Sequence, residues 1–262
     1  MLLPEFAGGL GNLMFQMSGL YGIAKQTGHR FGINSIPINE HSSNHNLQNT
    51  IFKPWNKFFI QPEGPLERFE EYWSHPIDLE AFRRRPDTEI IVMNGWYQHV
   101  HYFHPYRDEL IPLFDIQPPK RSKYYDIDDA YFLHVRRGDF IGHPYVYLNL
   151  EVNYYPRALE QMKQKGIAYV CSDDPAYCED WSMLQDVRHR VIHENELDTL
   201  SIMKSCKKGG IAANSSFSWW GLYLDTSRAS LLMPCTWFPV ANFYGYTSER
   251  YRFPEATVVS IW

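Results

Sequence analysis

From Ala130 onward, short apolar runs alternate with stretches of helical period, the pattern of a parallel, doubly wound sheet. Ala130–Val135, Ile167–Cys171, Arg190–His193, Gly209–Ala213 and Leu231–Met233 read as buried strands. Tyr154–Lys165, Pro175–Gln185, Thr199–Lys207 and Ser218–Thr226 read as helices between them, the third with Asp198 as its N-cap. The first half is less regular. Leu2–Phe6 predicts a strand and Gly8–Asn12 a tight turn. A helix from Leu13 to about Gln26 would put Leu13, Met17, Leu20 and Ala24 on one face. Ile36–Pro65 is polar, with scattered prolines, and reads as loop. Ile90–Val92 predicts a strand and Phe103–Leu113 a helical stretch. Pro118-Pro119-Lys120-Arg121 followed by Asp126–Asp129 has the composition of a linker, which divides the chain into domains 1–125 and 126–262. No internal repeat is visible.

The polar residues follow this geometry. His134-Val135-Arg136-Arg137-Gly138-Asp139, Ser172-Asp173-Asp174 and Asn214-Ser215-Ser216 each come directly after a predicted strand. In an open parallel sheet those ends share one rim, and ligands bind in the crevice there. Arginine keeps its proton in a protein, and its planar fork matches phosphate oxygens bidentately. An Arg–Asp network at a strand end is the alternative. Adjacent carboxylates such as Asp173 and Asp174 suit Mg²⁺ or Mn²⁺, the donor edge of guanine, or a helix N-cap. Asn214–Ser218 offers hydroxyls and backbone N–H groups to phosphate, or an ordinary helix cap, with Trp219 and Trp220 packing that helix on the sheet. Gly8–Asn12 opens onto a helix as anion-binding turns do, but lacks GxGxxG spacing and the Lys-Ser/Thr of a P-loop, so a plain turn also fits. His99, His101 and His104 are not in phase and have no fourth ligand nearby, which reads as exposed or cleft-lining histidines.

Composition narrows the partner. The chain has 262 residues, 44% hydrophobic and 16% aromatic, enough for well-filled cores. A net charge of −5 and a pI near 6.1 disfavour nucleic acid. A local basic pair in an acidic chain points instead to a small anionic molecule. No signal pattern and no apolar run of membrane-spanning length is present, which predicts a soluble, cytoplasmic protein with at most peripheral membrane contact. Removal of an N-terminal anchor would change that placement to the Golgi lumen. Cys171, Cys178, Cys206 and Cys235 form no CxxC pair and read as reduced, packed thiols. Oligomeric state is not legible.

Together, GGLGNLMFQ (Gly8–Gln16), GWYQ…YF (Gly95–Phe103), HVRRGDF (His134–Phe140), YVCSDD (Tyr169–Asp174), DTLSIMKSCKKGGIAANSSFSWWGLYL (Asp198–Leu224) and MPCTWF (Met233–Phe238) resemble the α-1,2-fucosyltransferases of glycosyltransferase family 11. These are relatives of the α-1,6- and protein O-fucosyltransferases. Leu13 stands where the family usually has Gln, and His99 where Ser is usual. Ile36–Arg85 matches no family motif, and it is where an acceptor would be chosen. The resemblance implies an α/β fold of GT-B type, two Rossmann-like domains facing across a cleft, with the acceptor on the 1–125 side and the GDP-sugar on the 126–262 side. It implies inverting, metal-independent transfer of L-fucose from GDP-β-L-fucose to a galactose 2-hydroxyl, with no cofactor. By the same resemblance, guanine lies on Asp174 with His134 nearby. The diphosphate lies on Arg136 and the Asn214, Ser215, Ser216 and Phe217 loop, and Asn12 of the Gly9/Gly11 loop sits near the reacting phosphate oxygen.

The chemistry needs fixed positive groups aimed at charge growing on the leaving phosphate. It also needs a base for the acceptor proton. Asp139, at the end of the HVRRGD motif, is the first candidate and His143 the second; a salt bridge from Asp139 to Arg136 or Arg137 is the competing role. Another GDP-sugar or a protein acceptor on the same frame is an alternative function, as is a non-catalytic glycan-binding module.

Overall fold

The computed structural model describes residues 1–36, 46–71, 75–120, 122–239 and 248–261. The chain divides into two compact units, Met1–Ile116 with Tyr244–Phe253, and Gln117–Phe243 with Pro254–Trp262. The division falls before Pro118-Pro119, not after Tyr125. Asp115 still donates its N–H to Ile51 O in the first unit at 2.8 Å, whereas Gln117 O already accepts from Ser201 of the second. Composition could not show that a late segment returns to the first unit. There Arg250 and Tyr251 are buried against Glu71 and Gln98.

The first unit is built on a parallel sheet of β1 (Leu2–Glu5), β2 (Leu66–Glu70) and β3 (Ile90–Asn94), in the order β1-β3-β2. Leu2 is registered with Ile91, and Leu66 with Ile90. Helix α1 (Leu10–Thr27) follows β1 and α2 (Leu79–Arg83) follows β2. Helix α1 starts three residues before the predicted Leu13, because Gly9 is the N-cap and Leu10 is already buried. Gly11 and Asn12 therefore belong to its first turn, not to the preceding loop. Strand β2 escapes the hydrophobic pattern because it is an edge strand with Leu66 56% exposed, so neither face shows apolar alternation. The predicted helix Phe103–Leu113 is split into single turns, with α3 at Arg107–Leu110, because Pro105 and Pro112 remove backbone donors. Residues 37–45 of the predicted loop Ile36–Pro65 lie outside the described residues. Its later part forms 3-10 turns at Leu47–Asn49 and Lys53–Phe58, pinned by Trp55 among Tyr21, Phe31, Phe58 and Phe114.

The second unit carries six parallel strands: β4 (Ala130–Val135), β5 (Ile167–Ser172), β6 (His189–Val191), β7 (Gly209–Ile211), β8 (Leu231–Pro234) and β9 (Thr257–Val259). Their order is β6-β5-β4-β7-β8-β9. Within the unit the chain builds outward from β4 to one edge, then returns to β7 and builds to the other. That reversal makes a topological switch point between β4 and β7. The intervening helices are α4 (Gly138–Gly142), α5 (Tyr154–Met162), α6 (Pro175–Glu179), α7 (Glu196–Ser205) and α8 (Ser216–Tyr223). Side chains of β4, β5 and α5 (Leu133, Val135, Val170, Tyr154, Ala158, Met162) form one core with Trp181 and Leu184. Trp219 and Trp220 of α8 are buried, as predicted, and the four cysteines are free thiols, three of them buried. The cap of α7 is Asn195, whose side chain accepts from Leu197 N and Asp198 N; Asp198 lies inside the first turn. No helix among the described residues is long and apolar enough to cross a membrane.

Candidate functional site

In the second unit the polar loops after β4, β5 and β7 share the rim at the switch point. Direct contacts there join His134 to Phe217, Arg136 to Asp139 and Asp139 to His143. Buried strand β4 delivers His134, 4% exposed, with its ring 5.8 Å from that of Phe217 at the start of α8. Burial, with the nearby Arg136 charge, pushes its pKa down to about 3, so the imidazole is neutral. Its Nδ1 is buried with no hydrogen-bond partner among the described residues.

Arg136 is forked by two carboxylates, Nη1 on Asp173 and Nη2 on Asp139, and its guanidinium lies 5.0 Å from the Phe140 ring centre. Phe140 in turn stacks on Tyr147 at 3.7 Å and 3°. Asp173 also accepts from Arg137 N at 2.8 Å. Only glycine fits at 138: its φ is +25°, and a Cβ there would lie 2.3 Å from Asp173 Oδ2. The Arg-Arg-Gly-Asp spacing thus lets the Asp173 carboxylate reach under the loop.

Arg137 faces inward. Its Nε donates to Asp174 Oδ2 at 3.1 Å, its Nη1 to Glu151 Oε1 at 2.8 Å, and its guanidinium lies 3.2 Å from the Tyr177 ring centre. Tyr177 OH donates to the other Glu151 oxygen at 2.8 Å. Asp174 is the N-cap of α6, accepting from Tyr177 N at 3.2 Å. Of the three readings of Ser-Asp-Asp, the cap is therefore realised, and both carboxylates are engaged by arginines. Among the described residues no three His, Cys, Asp or Glu side chains are grouped to hold a metal ion.

After β7, Asn214 is buried and ties the loop down, donating Nδ2 to Leu148 O and Trp237 O, both at 3.1 Å. Ser215 is the N-cap of α8 but makes no side-chain cap bond. Ser218 Oγ instead accepts from Ala213 N at 3.1 Å. The first N–H groups of α8 therefore carry no capping side chain and open on the same rim as Arg136. Asp139 is 57% exposed beyond its ion pair with Arg136, the alternative role raised from sequence. His143 is exposed, with Nδ1 2.9 Å from Asp139 O. A carbonyl only accepts, so Nδ1 holds the proton and Nε2 is the basic nitrogen.

Gly9, Gly11 and Asn12 lie in the first unit. Gly8 turns there with φ +79°, and a Cβ on it would be 2.4 Å from Asn12 Nδ2, so the carboxamide packs directly on the loop backbone. Two residues given no role from sequence hold this loop. Gln16 accepts from Ala7 N at 3.1 Å and donates to Gly95 O at 2.9 Å. Gln98 donates to Asn12 Oδ1 at 2.8 Å. Both stand inside the motifs GGLGNLMFQ and GWYQ, so the signal was present but unassigned. His99 and His101 turn their Nδ1 atoms toward each other, and burial drives the His99 pKa down to about 3.

Comparison with known proteins gives one family. The sequence model "Glycosyl transferase family 11" matches residues 5–252. The O-antigen biosynthesis glycosyltransferase WbnK of Escherichia coli is 27% identical over 182 residues, 60% of each chain. The alpha-1,2-colitosyltransferase of Escherichia coli is 22% identical over 275 residues, 90% of this chain and 92% of that one. In structure, the fucosyltransferase NodZ from Bradyrhizobium superposes with a TM-score of 0.53 at 12% identity, covering 84% of this chain and 92% of NodZ. NodZ soaked with GDP-fucose gives the same TM-score at 14% identity over 85% of this chain. The fold class is therefore α/β, GT-B type, with a parallel sheet in each unit.

Proposed function

The chain belongs to glycosyl transferase family 11, and from that premise we propose that it transfers L-fucose from GDP-β-L-fucose to the 2-hydroxyl of a galactoside, with inversion, forming an α-1,2 linkage. The observation that carries this reading is the rim at the β4/β7 switch point, where a forked arginine and an uncapped helix N-terminus open together. With Asp139 released from Arg136, a guanidinium and a helix N-terminus on one rim suit a diphosphate by charge. Asp174, with His134 beside the Phe217 ring, would take the guanine edge. The relative named as an alpha-1,2-colitosyltransferase supports the linkage. It also favours a second reading, transfer of another sugar from a nucleotide diphosphate on the same frame.

In the reaction, the acceptor 2-oxygen bonds to C1 of fucose while the bond from C1 to the β-phosphate oxygen breaks. Its electron pair leaves with GDP. Arg136 and the Ser215–Phe217 backbone N–H groups meet the charge that grows on that oxygen, which stabilises the transition state more than the bound donor. Once Asp139 has left Arg136, these groups would supply the positive charge at the phosphate, and on this reading neither metal nor cofactor takes part.

For Arg136 to grip the diphosphate, one carboxylate must leave its fork. Asp173 is 27% exposed and also held by Arg137 N, whereas Asp139 is 57% exposed with Arg136 as its ion-pair partner. Asp139 is the one to leave, and it is then free to take the acceptor proton. His143 is the next base in line. We place the reaction in the cytoplasm.

Calorimetry with GDP, UDP and ADP in EDTA, followed by transfer assays with GDP-fucose and a galactoside, tests the proposal. GDP should bind selectively and transfer should survive chelation. Binding of UDP in preference to GDP would overturn the donor assignment. Transfer lost in EDTA and restored by Mn²⁺ would overturn the metal-free mechanism.

A further inference from the structure

A guanidinium offers its neighbours two kinds of surface. Its edge carries the N–H groups that bind anions, and its face takes an aromatic ring without using any of them. We infer that Phe140 and Tyr147 are positioning residues that hold Arg136 by its face, so that its edge stays available to the diphosphate after Asp139 has left. This rests on the proposed role of Arg136 at the phosphates and adds what keeps that side chain in place while its ion pairs change.

The supports of Arg136 are of opposite kinds. Asp173 and Asp139 take N–H groups of Nη1 and Nη2, the same groups for which a phosphate competes. The Phe140 ring, with the guanidinium carbon 5.0 Å from its centre, competes for none of them. Phe140 directly follows Asp139 on α4, but the two side chains are held differently. The exposed Asp139 carboxylate can turn away by rotation about its own side-chain bonds. Phe140 lies flat on Tyr147, with ring centres 3.7 Å apart and planes within 3°. Release of the carboxylate therefore leaves the ring where it is.

The local chain builds this stack and ties it to the rest of the rim. Helix α4 ends at Gly142, and His143 O then accepts from Val146 N at 2.9 Å and from Tyr147 N at 3.0 Å. That turn folds Tyr147 back onto Phe140. Beyond it, the buried Asn214 amide donates to Leu148 O and to Trp237 O, both at 3.1 Å. One amide thus fixes the residue after Tyr147 and the residue before Phe238, whose ring lies 6.5 Å from that of Tyr147. Asn214 directly precedes Ser215, the N-cap of α8. The aromatic support of Arg136 and the uncapped helix N-terminus are therefore held from a single point.

GDP affinity in a short series of variants, measured by calorimetry, tests the inference. Phe140→Leu, which keeps an apolar side chain but no ring, should weaken GDP roughly 3–30-fold, the scale of one cation–π contact. Phe140→Tyr should restore affinity to within about twofold of the parent, and Tyr147→Leu should lose less than Phe140→Leu. In an Arg136→Gln background, Phe140→Leu should cost no more than about 1.5-fold, because the ring acts only through the guanidinium. A loss below about threefold in Phe140→Leu, the same loss in both backgrounds, or a Phe140→Tyr as weak as Phe140→Leu overturns the positioning role. The contact is also read without nucleotide. The Arg136 Nε–H NMR resonance, assigned by its absence in Arg136→Gln, lies in the ring current of Phe140. It should move in Phe140→Leu and stay near the parent position in Phe140→Tyr; an unmoved resonance overturns the contact. A parent protein that binds no GDP overturns the donor assignment and the inference with it. A parent that binds GDP while Phe140→Leu binds it equally well overturns the inference alone.

Discussion

Replacing each arginine of the HVRRGD motif by lysine should separate a ligand-gripping side chain from a framework one. Arg136 is 29% exposed, and its two carboxylate partners are 57% and 27% exposed, so each ion pair contributes about 0–1 kcal/mol to stability. Arg136→Lys should then shift Tm by no more than about 2–4 °C. Binding is affected more. A fork makes two parallel charge-assisted bonds to a diphosphate, whereas an ammonium keeps the charge but loses one of them. That loss is about 1.5–3 kcal/mol, or roughly 10–150-fold in Kd for GDP. Arg137 has Nε on Asp174, Nη1 on Glu151 and its face on Tyr177. Arg137→Lys breaks that packing, so it should lower Tm more than Arg136→Lys does and weaken GDP only through the displaced Asp174. Calorimetry with GDP and thermal unfolding of both variants decide the matter. GDP affinity within about threefold of the parent in Arg136→Lys, with a large loss in Arg137→Lys, would refute the assignment of roles.

Asp139→Asn should cut turnover roughly 10²–10⁴-fold with GDP affinity unchanged or raised; unchanged turnover would move the base to His143. Asp174→Asn keeps the cap on α6 but loses the carboxylate proposed to take the guanine edge. The preference for GDP over inosine diphosphate should narrow about tenfold, and an unchanged ratio would remove Asp174 from base recognition. His134 is neutral in the fold, with a pKa near 3 against 6.5 when unfolded, so the unfolded chain binds more protons between those values. Stability is complete above pH 6.5 and falls as the pH drops toward 3, by roughly 2 kcal/mol at pH 5. Urea unfolding of His134→Phe at pH 7 and pH 5 should show a smaller acid loss, and an equal loss would refute the burial argument. Glu71→Ala leaves the Arg250 charge buried without its carboxylate and should cost about 3–5 kcal/mol in urea unfolding; a cost below about 1 kcal/mol would mean the pair is not the anchor of the 248–253 segment.

Strands β4, β5, β7 and β8 of the second unit were legible because they are buried and so read as continuous apolar runs, with polar residues at their ends, whereas the partly exposed edge strand β9 was not predicted. The segments His134–Asp139, Ser172–Asp174 and Asn214–Ser216 were placed at strand ends by position along the chain alone, and the strand order sets those ends side by side on β5, β4 and β7. The helix boundaries were less legible. Asp198 and Asn195 are equally good caps by type, and only the fold shows which one accepts from the first-turn N–H groups. In the first unit β1, α1 and β3 were legible, and the rest was not, for different physical reasons. Edge strand β2 has no buried face to impose a pattern, and Pro105 and Pro112 cut what looked like one helix into turns.

The bonds around Asn12 were illegible for a further reason. Periodicity and motif spacing see neighbours within one element, whereas Tyr251 and Gln98 are 153 residues apart and Gln98 and Asn12 are 86 apart. A glutamine or a tyrosine in such a place is chemically ordinary; what makes it informative is the direction of the bond it donates. Direction is a property of three side chains together, and it appears only once the returning segment is packed against β3's exit loop. The same holds at the switch point. Two arginines side by side are interchangeable on paper, and only their partners, a fork shared with the exposed Asp139 for Arg136 and a closed cage for Arg137, assign them different tasks.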